Sequence, residues 1–239
     1  ASIDNNLPGS ELSIGTDTAL NNAVAALDSI KLSAAASHRC FVAEVMGRKC
    51  GYLSLMSGLA TGAEKVYLNE EGITLAGLAA DSERMVESFR SGRSLYLVIR
   101  NERASDNYTT DVLAHIFAEE GKDLYDVREA ILGHQQQGGT PTAFDRIMAT
   151  KLVAYSLDLL AGAFKRDEPT ASYVGLVGGK VSDHPLDRMN DELDREHRRP
   201  RHQWWLGLRP AVGLVSQNSG TLTLKDVPDF GESVDDAAG

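Results

Sequence analysis

The sequence predicts an α/β fold built on a parallel or mixed sheet. Three observations carry this. Short apolar runs of strand length alternate along the chain with amphipathic stretches of helical period. Glycine-containing polar clusters recur where the apolar runs end. The chain has 239 residues, 42% of them hydrophobic, enough for a substantial core in one or two domains.

Residues 1–10 carry the turn chemistry of Asp, Asn, Pro, Gly and Ser. A helix is predicted over 16–33, with Leu20, Val24, Leu27 and Ile30 near helical spacing. CFVAEVMG (40–47) reads as a strand, residues 50–62 as a helix and KVYL (65–68) as a short strand. A helix over 75–91 precedes SLYLVIR (94–100), a near-continuous apolar strand. DNYTTDVLAHIFAEEG (106–121) reads as a helix stopping at Gly121. VREAIL (127–132) reads as a strand, 143–161 as an amphipathic helix, and SYVGLVGGKV (172–181) as a strand and turn. From Asp187 the charge density climbs, with Trp204 and Trp205 expected to anchor that stretch. Residues 211–239 end the chain as an expected mobile, acidic tail. The polar opening loop starts at Ala1 with no element before it, so the chain reads as a fragment of a longer polypeptide.

The net charge of −10 argues against nucleic acid or an anionic membrane surface as the main partner. No apolar run approaches the roughly 20 residues of a membrane span. Cys40 and Cys50 fit a reducing compartment as buried thiols, since no second Cys/His pair at zinc spacing accompanies them.

Ligands of α/β sheets bind at the carboxyl ends of strands. Four clusters are expected there: SIDNN (2–6), MGRK (46–49), RNE (100–102) and GHQQQGG (133–139), with EHRRPR (196–201) as a fifth, basic group. Taken singly, each has a plain structural reading as a turn or a solvated face.

Taken together, SIDNNLPGSELSIGTDTALN, EVMGRKCGYL, LVIRNE and LGHQQQGGTPTAFDRIMATK resemble, in order and spacing, the signature segments of ATP-dependent 6-phosphofructokinases. The resemblance covers nearly all of residues 1–210 and is nearest the eukaryotic, fungal-like type, in which two homologous halves are fused. It implies a cytoplasmic glycolytic phosphotransferase with two-lobed Rossmann-type layers. Residues 1–15 and 136–185 would be the remnant of the larger lobe, left incomplete. Residues 16–135 and 186–210 would form the lobe that binds sugar phosphate or effector. Such a protein uses Mg and ATP, whose binding loops would lie upstream, in a missing N-terminal part of the same polypeptide.

Family catalytic copies carry Arg in the third position after the motif histidine; Gln137 stands there. They carry a second carboxylate in the SIDNN loop; Asn6 stands there, while Asp4 keeps the base-like position. The resemblance therefore implies the regulatory half, with fructose 2,6-bisphosphate or fructose 6-phosphate as ligand. A catalytic half using Asp4, or an oligomerisation module without ligand, are the alternatives. By the same resemblance, Ser2, Ile3, Asp4, Asn5 and Asn6 would contact the sugar and its nearer phosphate. Met46, Gly47 and Arg48 would line the sugar, and Glu102 would accept from its hydroxyls. His134, Gln135, Gln136 and Gln137 would hold the distal phosphate, and Arg198 would add a cation. Arg39 and Arg128 would reach the pocket of a neighbouring subunit in a homo-oligomer.

Overall fold

A computed structural model describes residues 1–34, 37–166 and 171–216. In chain order the elements are α1 (Thr16–Ala34), β1 (Arg39–Val45), α2 (Tyr52–Thr61), β2 (Lys65–Tyr67), α3 (Leu75–Arg90), β3 (Leu95–Asn101), α4 (Thr110–Gly121) and β4 (Asp126–Ile131). These are followed by a 3₁₀ turn (Gly133–Gln136), α5 (Ala143–Arg166), β5 (Ser172–Val177), β6 (Lys180–Pro185), α6 (Met189–Glu192), β7 (Leu193–Asp194), β8 (Arg199–Pro200) and α7 (Arg209–Val215).

The α/β expectation holds. Strands β1 to β4 form one parallel sheet in the order β2-β3-β1-β4. Alternation along β1 separates two cores. Phe41, Ala43 and Val45 join Leu97 and Ile99 under α1 and α2, with Ala19, Ala23, Leu27, Leu53 and Leu55. Cys40 and Val42 join Tyr96 and Val98 under α3 and α4, with Leu78, Met85, Phe89, Leu113 and Phe117. The anchoring expected of the tryptophans falls mainly to Trp205, which is buried edge-on against Tyr52; Trp204 stays exposed.

Several boundaries differ from the sequence expectation. The helix expected from 106 starts at Thr110, because the Thr109 side chain accepts the N–H of Val112 and caps it. SYVGLVGGKV is half of an antiparallel hairpin: Gly178 and Gly179, both at positive φ, turn β5 back into β6. EHRRPR is more than a solvated face, since Arg199 and Pro200 pair with β7. The expected tail begins later than 211: α7 continues to Val215 and Val212 is buried in the core; 217–239 lie outside the described residues.

Helix α5 is longer and more apolar than the sequence reading suggested. It is 24 residues long and contains an 18-residue window of mean hydropathy 1.4, which by length and composition alone would suffice to cross a membrane. The sequence hid this because Lys151 and Asp158 interrupt the run. Those two charges, and the buried Asp145 tied to α1, argue for a helix packed against protein. Phe144, Ile147, Val153, Leu157, Leu160 and Phe164 are exposed along it.

Candidate functional site

Three of the expected clusters do lie where parallel strands end. Met46-Gly47-Arg48 follows β1, Glu102 follows β3, and the Gly133–Gln136 turn follows β4. SIDNN does not: among the described residues no strand precedes it. It is a loop held from outside. The Thr16 hydroxyl donates to the Ser2 carbonyl (2.9 Å), and Asn5 Oδ1 accepts the N–H of Ser13 (2.8 Å). Ser2 Oγ donates to Asn6 Oδ1 (2.7 Å), and Asn6 Nδ2 donates to the carbonyl of Arg198 (3.3 Å). Ile3 packs at the margin of the core beneath α1 and α2.

Glu102 closes the β1 loop. Its Oε1 accepts the N–H of Gly47 (3.2 Å) and of Arg48 (2.6 Å). The backbone there is tight: Gly47 has φ +137°, and a Cβ on it would come within 2.4 Å of the Cys50 carbonyl oxygen. Arg48 Nε stands 3.6 Å from Asp4 Oδ2, with Arg48 largely exposed and Asp4 buried. Burial pushes the Asp4 carboxyl above its ordinary range; Arg48 pulls it down and Glu102 adds to the rise.

The three glutamines differ. Gln136 is buried; its Oε1 accepts the N–H of Met46 (2.9 Å), and its Nε2 is a buried donor without a partner. Gln135, Gln137 and His134 are exposed, and the Gln137 N–H donates to the His134 carbonyl (3.0 Å), closing the turn. Arg198 is exposed, and its contribution inside the described structure is its carbonyl, which holds Asn6.

Four non-glycine residues among the described ones have positive φ, and three of them, Asn5, Arg48 and Arg198, belong to this cluster. Left-handed backbone is costly for such residues and concentrates where geometry serves a site.

Arg39 and Arg128 are not in the cluster. Arg39 is the first residue of β1 and Arg128 the third of β4, towards the amino ends of those strands and opposite the edge where the loops gather. Strand rise separates Arg39 from Met46 by roughly 20 Å. Both approach Asp126, at 4.0 and 3.5 Å, and Arg39 Nε is a buried donor without a partner.

Sequence reasoning missed several supporting residues. Asn22 donates to the carbonyls of Gln136 and Gly138. Arg199, more than its neighbour Arg198, is the anchored arginine: it meets Glu70 at 3.0 Å, and Glu70 also accepts the N–H of Gly51 at the start of α2. Asp145, visible in the DR pair of the LGHQQQGGTPTAFDR segment, accepts from Gly15 and Thr18 at the start of α1. Arg100, the first residue of RNE, is fully buried.

The described residues form no preassembled magnesium cage. Asp4 is the lone carboxylate of the SIDNN loop and faces a guanidinium. Among the described residues no three His, Cys, Asp or Glu side chains gather as ligands.

The loops gather at the carboxyl edge of a parallel sheet, the place where α/β proteins as a class bind their ligands. Residues 1–160 match the phosphofructokinase family, and the chain belongs to it. It is 46% identical over 226 residues to the ATP-dependent 6-phosphofructokinase of Dictyostelium discoideum, covering 94% of this chain and 27% of that relative. It is 40% identical over 237 residues to the muscle-type ATP-dependent 6-phosphofructokinase of Homo sapiens, covering 95% and 30% respectively. Its structure matches that of phosphofructokinase from Saccharomyces cerevisiae with a TM-score of 0.85 at 36% identity, over 90% of this chain and 30% of that one. The chain thus spans less than a third of the length of these relatives.

Proposed function

We propose that this chain is the effector-binding half of a 6-phosphofructokinase polypeptide, with fructose 2,6-bisphosphate as its ligand. The whole polypeptide would transfer the γ-phosphoryl group of ATP to the 1-hydroxyl of fructose 6-phosphate. One observation carries the reading. Asn5, Arg48 and Arg198, all left-handed, sit in loops tied together around Asp4, the one carboxylate of the SIDNN loop, with Glu102 committed to the Gly47 and Arg48 amides. Asn6 and Gln137 stand where a catalytic copy would have a second acid and an arginine. Such a site suits binding a sugar phosphate better than transferring a phosphoryl group, which depends on charge neutralisation around the donor.

Arg48 and Arg198 would supply cations from within the chain. Arg39 and Arg128 face away from their own loops and would complete the pocket of a neighbouring subunit in a homo-oligomer. A pocket shared in this way would respond to subunit orientation, through differential affinity for two arrangements. Residues 1–15 and 136–185 would belong to the incomplete larger lobe, and the exposed stripe of α5 would face the rest of that lobe.

A catalytic second reading is favoured by one feature, the raised Asp4 carboxyl, which suits a general base. Thermal melts with fructose 2,6-bisphosphate, against fructose 6-phosphate and inorganic phosphate, test the leading reading. Preferential stabilisation by the bisphosphate supports it. A cooperative melt indifferent to all three, repeated in the full-length oligomer, overturns it.

A further inference from the structure

Arg100 is the least expected residue near the site. It is the penultimate residue of β3, and its side chain is 2% exposed. A buried guanidinium is costly unless its donors are used. Here four of the five are used, three of them on one loop. Nε donates to the Tyr108 carbonyl (3.0 Å), Nη2 to the Ser105 carbonyl (2.6 Å) and Nη1 to the Glu102 carbonyl (3.1 Å). Nη1 also meets Glu44 Oε2 at 2.8 Å, from the residue opposite Arg100 in the parallel register. The Thr110 hydroxyl donates to that same Glu44 oxygen, tying in the start of α4.

The three carbonyls belong to the segment that leaves β3 immediately after the strand and runs to α4. Its first residue is Glu102. Glu102 Oε1 is committed to the amides of Gly47 and Arg48; among the described residues Oε2 accepts no hydrogen bond. Replacing a buried ion pair with apolar side chains commonly leaves stability unchanged or improved, so energy alone does not account for this one. What the pair provides is geometry: a planar fork that fixes three carbonyls relative to β1 and β3.

We propose that Arg100, locked by Glu44, is the positioning residue of the site. It holds the 102–108 segment so that one Glu102 oxygen secures the Gly47–Arg48 turn while the other is left free for a sugar hydroxyl. The hydroxyl part of this inference rests on the proposed function; the positioning part does not.

The test uses the whole chain and two mild variants, Arg100→Lys and Glu44→Gln, with Glu102→Gln as reference. Amide exchange and chemical shifts read the Gly47 and Arg48 N–H groups directly, without ligand. The expected result is about tenfold faster exchange of the Arg48 amide in both variants. Core amides such as Val98 would keep their protection. Adding Arg100→Lys to Glu102→Gln should then change the Arg48 amide little further, because the two act in series. An unchanged Arg48 amide, or additive effects in the double variant, overturns the positioning role. In a separate arm, fructose 2,6-bisphosphate affinity should fall about tenfold in Arg100→Lys. If the unaltered chain and the full-length oligomer bind no sugar phosphate, the site reading and the hydroxyl clause fail, while the amide result still judges Arg100.

Discussion

The side-chain carbonyl of Gln136 accepts the main-chain N–H of Met46 at 2.9 Å, joining the turn after β4 to the loop after β1 across 90 residues. Of the three glutamines it is the buried one. Gln136→Leu should therefore destabilise the chain by about 1–2 kcal/mol, the stranded Met46 N–H outweighing the relief of removing the unpaired Nε2. Gln135→Ala and Gln137→Ala, at exposed positions, should stay within about 0.5 kcal/mol. Urea unfolding of the three variants would decide it; equal midpoints would remove Gln136 from the loop's support.

Asp145 fixes α5 to α1. Its Oδ1 accepts the N–H of Gly15 at 2.8 Å and its Oδ2 that of Thr18 at 2.9 Å, with the Thr18 hydroxyl closing on the same oxygen. A carboxylate at a helix N-terminus caps orphan donors and opposes the positive end of the dipole. Asp145→Ala should cost about 2 kcal/mol or more, and Asp145→Asn less, because it keeps one acceptor. Chemical denaturation measures both, and Thr18→Ala should be non-additive with either.

How much of this could be read from the sequence depended on the physical signal. Strands β1 and β3 announced themselves as apolar runs because both of their faces are buried. Strand β6, KVSDHP, carries no such run; the hairpin signal was Gly178-Gly179, read as a turn without its returning partner. The loops of the site were legible as glycine and amide clusters. Their supports were not, because Arg100–Glu44, Glu70–Arg199 and Asp145–Thr18 pair residues distant in sequence, and a buried arginine runs against composition rules. The apolar stripe of α5 was legible, but its lack of cover is a property of packing.

Asp4 makes stability depend on pH. Its folded pKa lies above the ordinary 3.8, with burial as the first cause. Between the unfolded and folded values the native state holds the extra proton, so stability falls as pH rises through that window, and the penalty is complete above it. Asp4→Asn removes the charge. It should raise the urea midpoint at pH 7, and the gain should shrink as pH falls towards 3.8. A gain independent of pH would locate the effect elsewhere than in ionisation.

The chain in isolation should associate through α5. Phe164 is 84% exposed and Leu157 60%, on one stripe with Val153 and Leu160. Leu157→Glu with Phe164→Glu should suppress hydrophobic-dye binding and self-association while changing stability by no more than about 0.5 kcal/mol per site. Light scattering and dye fluorescence read this out. In a full-length polypeptide, where the stripe would be covered, the same pair should cost several-fold more.

Substitutions at Gln137 and Asn6 would test binding against catalysis. Gln137 is exposed at the end of the 3₁₀ turn, so an arginine there costs little in packing. It adds a charged fork suited to phosphate. Gln137→Arg should therefore tighten fructose 6-phosphate binding by about tenfold, read by calorimetry. Asn6→Asp acts in the opposite direction. It removes the donor to the Arg198 carbonyl and sets a second negative charge in the Asp4 loop, where the proposed anionic ligand would approach. Alone it should weaken binding and push the Asp4 carboxyl further up. If Asn6→Asp with Gln137→Arg in the full-length protein adds turnover that is lost on Asp4→Asn, the site keeps catalytic geometry and the effector reading gives way. If affinity changes and turnover does not, the two substitutions have altered a binding pocket.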